Sequence, residues 1–266
     1  GRELSDVKVT VSEAPPGARG TSLRIEGLRD RWTDAQLERC LLNLTGILQP
    51  FPVAPIAGDS RADPGFQVQF RRGGDLLEDT VIADLQTQFR VHATAVIEAR
   101  VDATGQAQWR ITNNKVGRDR DWVNFHHDRD PAEDYAHLRG AQMRAYYFIL
   151  SPDTLPALVY SRVRTLLGEN GGIRLYRNGF RVAPYGDFED DWLGLDNLYA
   201  RRSATLAPVA NRNFFGVVEV EDPDGTRFEE RTSREGLVDT PEFEELREFL
   251  PAVLISAVNE IGRAHV

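Results

Sequence analysis

Sulfur is scarce in this 266-residue chain: Cys40 is its one cysteine, and there is one methionine. A lone thiol forms no intrachain disulfide and no cysteine zinc cluster, which points to a reducing, cytoplasmic setting. Long apolar runs are also missing. None approaches the ~20 residues a helix needs to cross a bilayer, so no membrane association is expected. The opening Gly1-Arg2-Glu3-Leu4-Ser5-Asp6 lacks the apolar core of a signal peptide. Lysine is nearly absent, Lys8 and Lys115 being the only ones, so arginine carries almost all the positive charge. A GC-rich genome accounts for such a bias. Arginine's fit to phosphate bears on individual sites rather than on composition. The net charge of −9 excludes a protein that coats nucleic acid with its whole surface, and leaves open a local basic face.

What remains is the profile of an ordinary globular protein, 41% hydrophobic and 27% charged, long enough for two modest domains. Residues 7–11 alternate as a strand, 13–19 form a loop, and Gly20-Thr21 opens a strand at 23–25. Thr33 and Gln36 form a capping box for a helix with Leu37, Cys40, Leu41, Leu44 and Leu48 on one face, ended by Pro50. Cys40 lies within that stripe as a small core residue. Residues 51–65 are a linker, 65–71 a strand and 75–88 a short helix. Residues 89–101 and 106–112 pair across Ala103-Thr104-Gly105, and the charged, aperiodic 117–134 is a mobile or inserted loop. A buried strand is expected at 143–150, a helix at 156–167 and a strand at 214–220. Thr240 and Pro241 start a last helix whose apolar face runs from Phe243 to Ile261.

The chain is organised around Gly171 to Gly186. Two alternating runs, 173–176 and 180–182, flank Arg177-Asn178-Gly179. Asn-Gly between such runs signals a type I′ hairpin, since that turn needs positive φ at both central positions. Gly171 and Gly172 end the preceding helix, and Pro184-Tyr185-Gly186 closes the second strand. Arg174, Arg177 and Arg181 project from the hairpin, either as a phosphate- or partner-binding face or paired with the acidic run 187–191.

This stretch resembles a segment of bacterial proteins related to the GHKL ATPases, the histidine kinase-like superfamily of gyrase, the ninety-kilodalton heat-shock chaperone, histidine kinases and MutL. Asp190-Asp191-Trp192-Leu193, Arg201-Arg202, Arg212-Asn213 with Gly216, and Thr232-Ser233-Arg234-Glu235-Gly236-Leu237 continue the resemblance in order. It covers residues 140–245 well, 20–52 moderately, and the middle poorly.

The resemblance implies an α+β chain: residues 1–52 as the C-terminal part of the GHKL-like α/β sandwich, 53–134 as a β-rich connection with a charged loop, and 135–266 as a transducer-like domain. That domain would have the ribosomal-protein-like fold with a left-handed βαβ crossover. Gly20 and Thr21 would start the last strand of the nucleotide domain, with Thr21 near the adenine; a turn glycine beside a β-branched residue is the alternative. The hydrolase's own fingerprints, Glu-x-x-x-Asn and Asp-x-Gly-x-Gly, are missing from the sequence. The turns at Asp102 and Asp222 lack the second glycine. ATP and Mg2+ would therefore be bound mainly by an upstream nucleotide domain, and this chain alone would not hydrolyse ATP.

Ser233-Arg234-Glu235-Gly236-Leu237 matches the Ser-Arg-Glu-x-Leu motif with which the chaperone reaches the γ-phosphate. By that match Arg234 takes the catalytic role, with Ser233 beside it at the nucleotide. A guanidinium placed there stabilises developing charge bidentately. The competing role is a surface arginine paired with Glu230 or Glu235, worth at most ~1 kcal/mol. The leading function is thus a coupling module that senses ATP and relays closure to a partner or to the other half of a homodimer. Two rivals stand beside it. One is a metal-dependent hydrolase on His126-His127-Asp128, Asp130 and Glu133-Asp134, ligand types that suit zinc or iron. The other is a non-catalytic binding module using the arginine hairpin.

Overall fold

The computed structural model describes residues 33, 36, 70–72, 75–77, 91–126, 135–151, 155, 157–187, 189–202, 206–232 and 235–263. The chain divides into two compact units, Gly1–Glu38 and Arg39–Val266. In the smaller unit the expected capping box is present. Thr33 donates its backbone N–H to Gln36 Oε1 at 2.9 Å, and Gln36 N–H reaches Thr33 Oγ1 at 3.3 Å.

In the larger unit Phe70–Arg72 (β1) and Asp75–Leu77 (β2) pair antiparallel as a separate two-stranded sheet. This corrects the helix expected from residue 75. Asp-Leu-Leu has no period of its own, and a strand directly upstream offers its backbone groups partners at once.

The main sheet has seven strands. Ala95–Val101 (β3), Ala107–Thr112 (β4), Arg120–Asn124 (β5) and Gln142–Tyr147 (β6) come first. The helix Ala157–Asn170 (α1) leads to Gly172–Arg177 (β7) and Phe180–Arg181 (β8). Leu195–Ala200 (α2), Phe214–Val220 (β9) and Pro241–Arg263 (α3) complete the order. The strands lie β5-β4-β3-β6-β9-β7-β8. Every pair is antiparallel except β7 with β9, so residues 182–213 form the connection that returns the chain to run parallel beside β7. The class is α+β.

Strand β5 lies inside the stretch read from sequence as a loop. Its run Arg-Asp-Trp-Val-Asn is half exposed and too polar to show a buried strand's pattern; pairing to β4 makes it one.

Alternation sorts the sheet into two unlike faces. On the first, Ile97, Trp109, Ile111, Met143, Tyr147, Leu175 and Val218 pack under α3 in one core. Thr240 Oγ1 caps α3 by accepting the Phe243 N–H at 3.2 Å, and Pro241 takes the first helical position. Its buried Phe243, Leu246, Leu250, Val253, Leu254, Ala257 and Ile261 are the periodic residues read from sequence. On the second face α1 covers only part of the sheet. Val163 and Leu167 pack on Tyr176, Phe215 and Val217. Over β3, β4 and β6 the same face carries Glu98, Arg100, Arg110 and Arg144, which are polar positions alternating with the core.

Candidate functional site

The hairpin forms as its sequence dictates. Asn178 and Gly179 have φ of 51° and 80°, and Arg177 pairs with Phe180. The turn is tied to the end of β9: Asn178 Nδ2 donates to Asp222 O at 2.8 Å, Asn178 Oδ1 accepts from Asp222 N at 2.7 Å, and Gly179 N–H reaches Glu219 Oε1 at 2.7 Å. The three arginines do not share one environment. Arg181 pairs with Asp187 at 2.6 Å, as the acidic run suggests. Arg177 turns elsewhere, donating to Phe228 O and Glu230 Oε1, both at 2.6 Å. Arg174 is buried, 5.3 Å from the Phe215 ring, with no acceptor for its Nε among the described residues. Burial and the neighbouring Arg181 pull its pKa down to about 10, so it stays charged at neutral pH.

Beyond β8 the chain folds back over β7. A Cβ on Gly186 would lie 2.4 Å from the Ile173 carbonyl oxygen, and its φ is +73°, so glycine is required there. Trp192 Nε1 donates to that same carbonyl at 2.7 Å. Tyr185, Trp192 and Phe243 cluster with ring centroids 5.1–5.9 Å apart, and this anchors the corner to α3. Onto it docks the segment that carries the second motif. Gly236 N–H donates to Ala183 O and Leu237 N–H to the Tyr185 hydroxyl, each at 2.8 Å. Arg231 N–H donates to Gly236 O at 3.0 Å, closing the loop on itself. Thr232 and Glu235 are exposed, whereas Gly236 and Leu237 are buried.

Asp190 and Asp191 stand beside this corner. Burial raises both carboxyls above the ordinary range, and for Asp190 the charge of Asp187 adds to it. Their roles are structural: Asp190 accepts the Gly186 N–H at 2.9 Å, and Asp191 accepts the Leu195 and Asp196 N–H groups at the start of α2.

Of the residues singled out from sequence, Arg234, Ser233, Gly20 and Thr21 lie outside the described residues. So do His127, Asp128, Asp130, Glu133 and Asp134; His126 is half-buried after β5. Among the described residues no group of three or more metal-ligating side chains comes together. The turn carboxylates spend their oxygens on their own loops. Asp102 accepts from Thr104 and Gln106, and Asp222 from Thr226, Arg227 and Phe228.

Sequence reasoning missed a charged cavity on the second face of the sheet, about 610 Å³ in volume. At its floor Glu98, only 3% exposed, lies between two arginines. Arg110 Nε meets Oε2 at 2.5 Å, and Arg144 grips Oε1 with Nε at 3.0 Å and a terminal nitrogen at 2.8 Å. Burial pushes the Glu98 carboxyl up, and the hydrogen bonds and charges of Arg110 and Arg144 more than offset it, holding it below the ordinary carboxylate range. The signal in the sequence was the opposite-sign pair at alternating positions of neighbouring strands, Glu98 opposite both Arg110 and Arg144.

The fold and this geometry define a mixed α/β protein with a seven-stranded sheet and a long C-terminal helix. No protein-family model, no curated protein and no solved structure matches the chain significantly. Among the described residues no helix is long and apolar enough to cross a membrane.

Proposed function

We propose that this chain is the transducer portion of a GHKL-type ATPase. It couples ATP binding and hydrolysis on an upstream nucleotide domain to a conformational change, with Arg234 reaching the γ-phosphate. The observation that supports this reading is the meeting of the two stretches on which the resemblance rests. The Ala183-Pro184-Tyr185 turn holds Gly236 and Leu237 through two 2.8 Å hydrogen bonds. A motif loop fixed at its base on a half-buried aromatic corner suits a side chain that must be placed on a ligand, because preorganised donors lose little freedom on engagement. Glu230, one of the carboxylates that would hold Arg234 on the surface, is engaged by Arg177.

In this reading the transducer's crossover would join β7 to β9, the one parallel pair among the described strands. Residues 1–52 complete the nucleotide domain in this reading, with Gly20 and Thr21 near the adenine and Ser233 beside the phosphates. ATP and Mg2+ belong mainly to the upstream domain, since the described carboxylate turns at Asp102 and Asp222 are closed on their own backbone. ATP supplies the phosphoryl group, and this chain's part is to orient Arg234 and exclude water. The setting is cytoplasmic, and a homodimer is the arrangement in which closure would be relayed.

The test uses the full-length protein with its nucleotide domain. Arg234→Ala lowers kcat by about a hundred- to a thousandfold, while nucleotide Kd and melting temperature hold. Arg234→Lys recovers part of the rate, keeping the charge and losing the fork. Parent-rate hydrolysis by both variants overturns the assignment.

A further inference from the structure

The cavity above Glu98 has features that the ion pair alone does not require. One carboxylate faces two guanidinium groups, with Lys115 also on the wall, so the lining holds three cations and one anion. That surplus of two positive charges is concentrated in a chain of net charge −9. A structural pair would be complete with Arg144 alone, which already places two nitrogens on Glu98 Oε1.

Arg110 is held differently. Its Nε is bonded to Glu98, and its guanidinium lies 4.7 Å from the centre of the Trp122 ring. One edge and one face are thereby fixed. Its two terminal nitrogens make no hydrogen bond among the described residues, and the side chain is 27% exposed. Arg100 braces the same ring at 4.1 Å and is itself held by Gln108. This is a fork oriented in advance with its bidentate edge open, the form in which arginine binds oxyanions. Among the described residues the Lys115 ammonium bonds only the Val91 carbonyl, which leaves two of its three N–H donors for a ligand.

We propose that this cavity binds a small phosphate monoester. Arg110 and Lys115 take the phosphate, and the organic body lies against Tyr146 and Val96. Charge selects the class: a monoester carries about −1.5 to −2 at pH 7, which balances the surplus, whereas a carboxylate balances half of it. Size agrees, since small-ligand sites span ~300–1,000 Å³ and this one is about 610 Å³. The apolar flank at Val96 and Tyr146 distinguishes the site from one for a bare inorganic anion. The proposal stands on residues separate from Arg234 and its loop and does not depend on the ATPase reading.

The experiment is calorimetric titration of the purified 266-residue chain with phenyl phosphate, inorganic phosphate and benzoate. Phenyl phosphate binds saturably at one site and more tightly than inorganic phosphate, which lacks the ring, or benzoate, which lacks the second charge. Arg110→Lys retains a cation for Glu98 and loses the fork; Lys115→Gln removes a donor on the exposed wall. Each weakens phenyl phosphate about tenfold, and Lys115→Gln does so with the melting temperature of the unliganded chain unchanged. Affinity falls as the pH drops through about 6, where the dianion gains a proton; a purely structural cluster would impose no such dependence on added phosphate. No saturable binding, equal affinity for benzoate, or indifference to both substitutions overturns the proposal. So does binding of a single-stranded oligonucleotide with no measurable site for phenyl phosphate, which would assign the Trp122 face to nucleic acid.

Discussion

The Tyr185 hydroxyl accepts the Leu237 backbone N–H at 2.8 Å, joining residues 52 positions apart in sequence. Gly236 N–H reaches Ala183 O beside it, so the base of the loop spanning residues 232–237 is held by two bonds to one turn. Removing one acceptor leaves a half-buried donor unpaired. Tyr185→Phe is expected to cost about 1–3 kcal/mol while leaving the rings of Trp192 and Phe243 packed. Urea unfolding and amide exchange at Leu237 measure it: exchange rises there more than in β9, and unchanged exchange at Leu237 refutes the clamp.

Glycine is indispensable at residue 186 and replaceable at 194, though both have positive φ. At Gly194 nothing lies within 4 Å of an added Cβ, so Gly194→Ala adds backbone strain of about 1–2 kcal/mol. At Gly186 the added carbon meets the backbone of Ile173 and Arg174 at 2.4–2.8 Å, and backbone within a sheet yields little. Gly186→Ala is expected to exceed about 3 kcal/mol. Equal melting temperatures for the two variants would contradict the close approach of this turn to β7.

Acid stability separates carboxylates of opposite behaviour. Glu98 is held below the ordinary carboxylate range in the folded chain, so its contribution is present above the unfolded-state pKa and is lost as pH falls through the lowered folded pKa. The stability gap between parent and Glu98→Gln is therefore widest near neutrality and closes in acid. Asp190 is raised, so the folded state holds its proton more tightly and the parent loses stability as pH rises through that window. Asp190→Asn keeps an acceptor for the Gly186 N–H and lacks that loss. Its stability relative to the parent improves as pH rises from 3 to 7. Urea midpoints across that range give both signs, and parallel curves for either pair refute the assigned shift.

The elements legible in the sequence are those whose cause is local. Asn178-Gly179 forces its turn by positive φ, Thr240-Pro241 starts α3, and a 3.6 period places Phe243 to Ile261 in the core. The alternation at 95–112 paired β3 with β4 across a short turn. Strands β2 and β5 were not legible, because short polar or mixed runs become strands only when a neighbour supplies the hydrogen bonds. Composition excluded a disulfide and a cysteine cluster before any folding. The residues that would touch ATP in the proposed function, Gly20, Thr21, Ser233 and Arg234, stand on resemblance of sequence.

Tertiary structure alone decided the strand order, the parallel insertion of β9 between β6 and β7, and the partners of Arg177. It also brought Glu98 between Arg110 and Arg144, 12 and 46 residues away. The physical reason is range: turn and helix signals act over a few residues through backbone sterics and capping. Which distant charge meets a carboxylate depends on strand register, and register is set only when the whole sheet buries its apolar face.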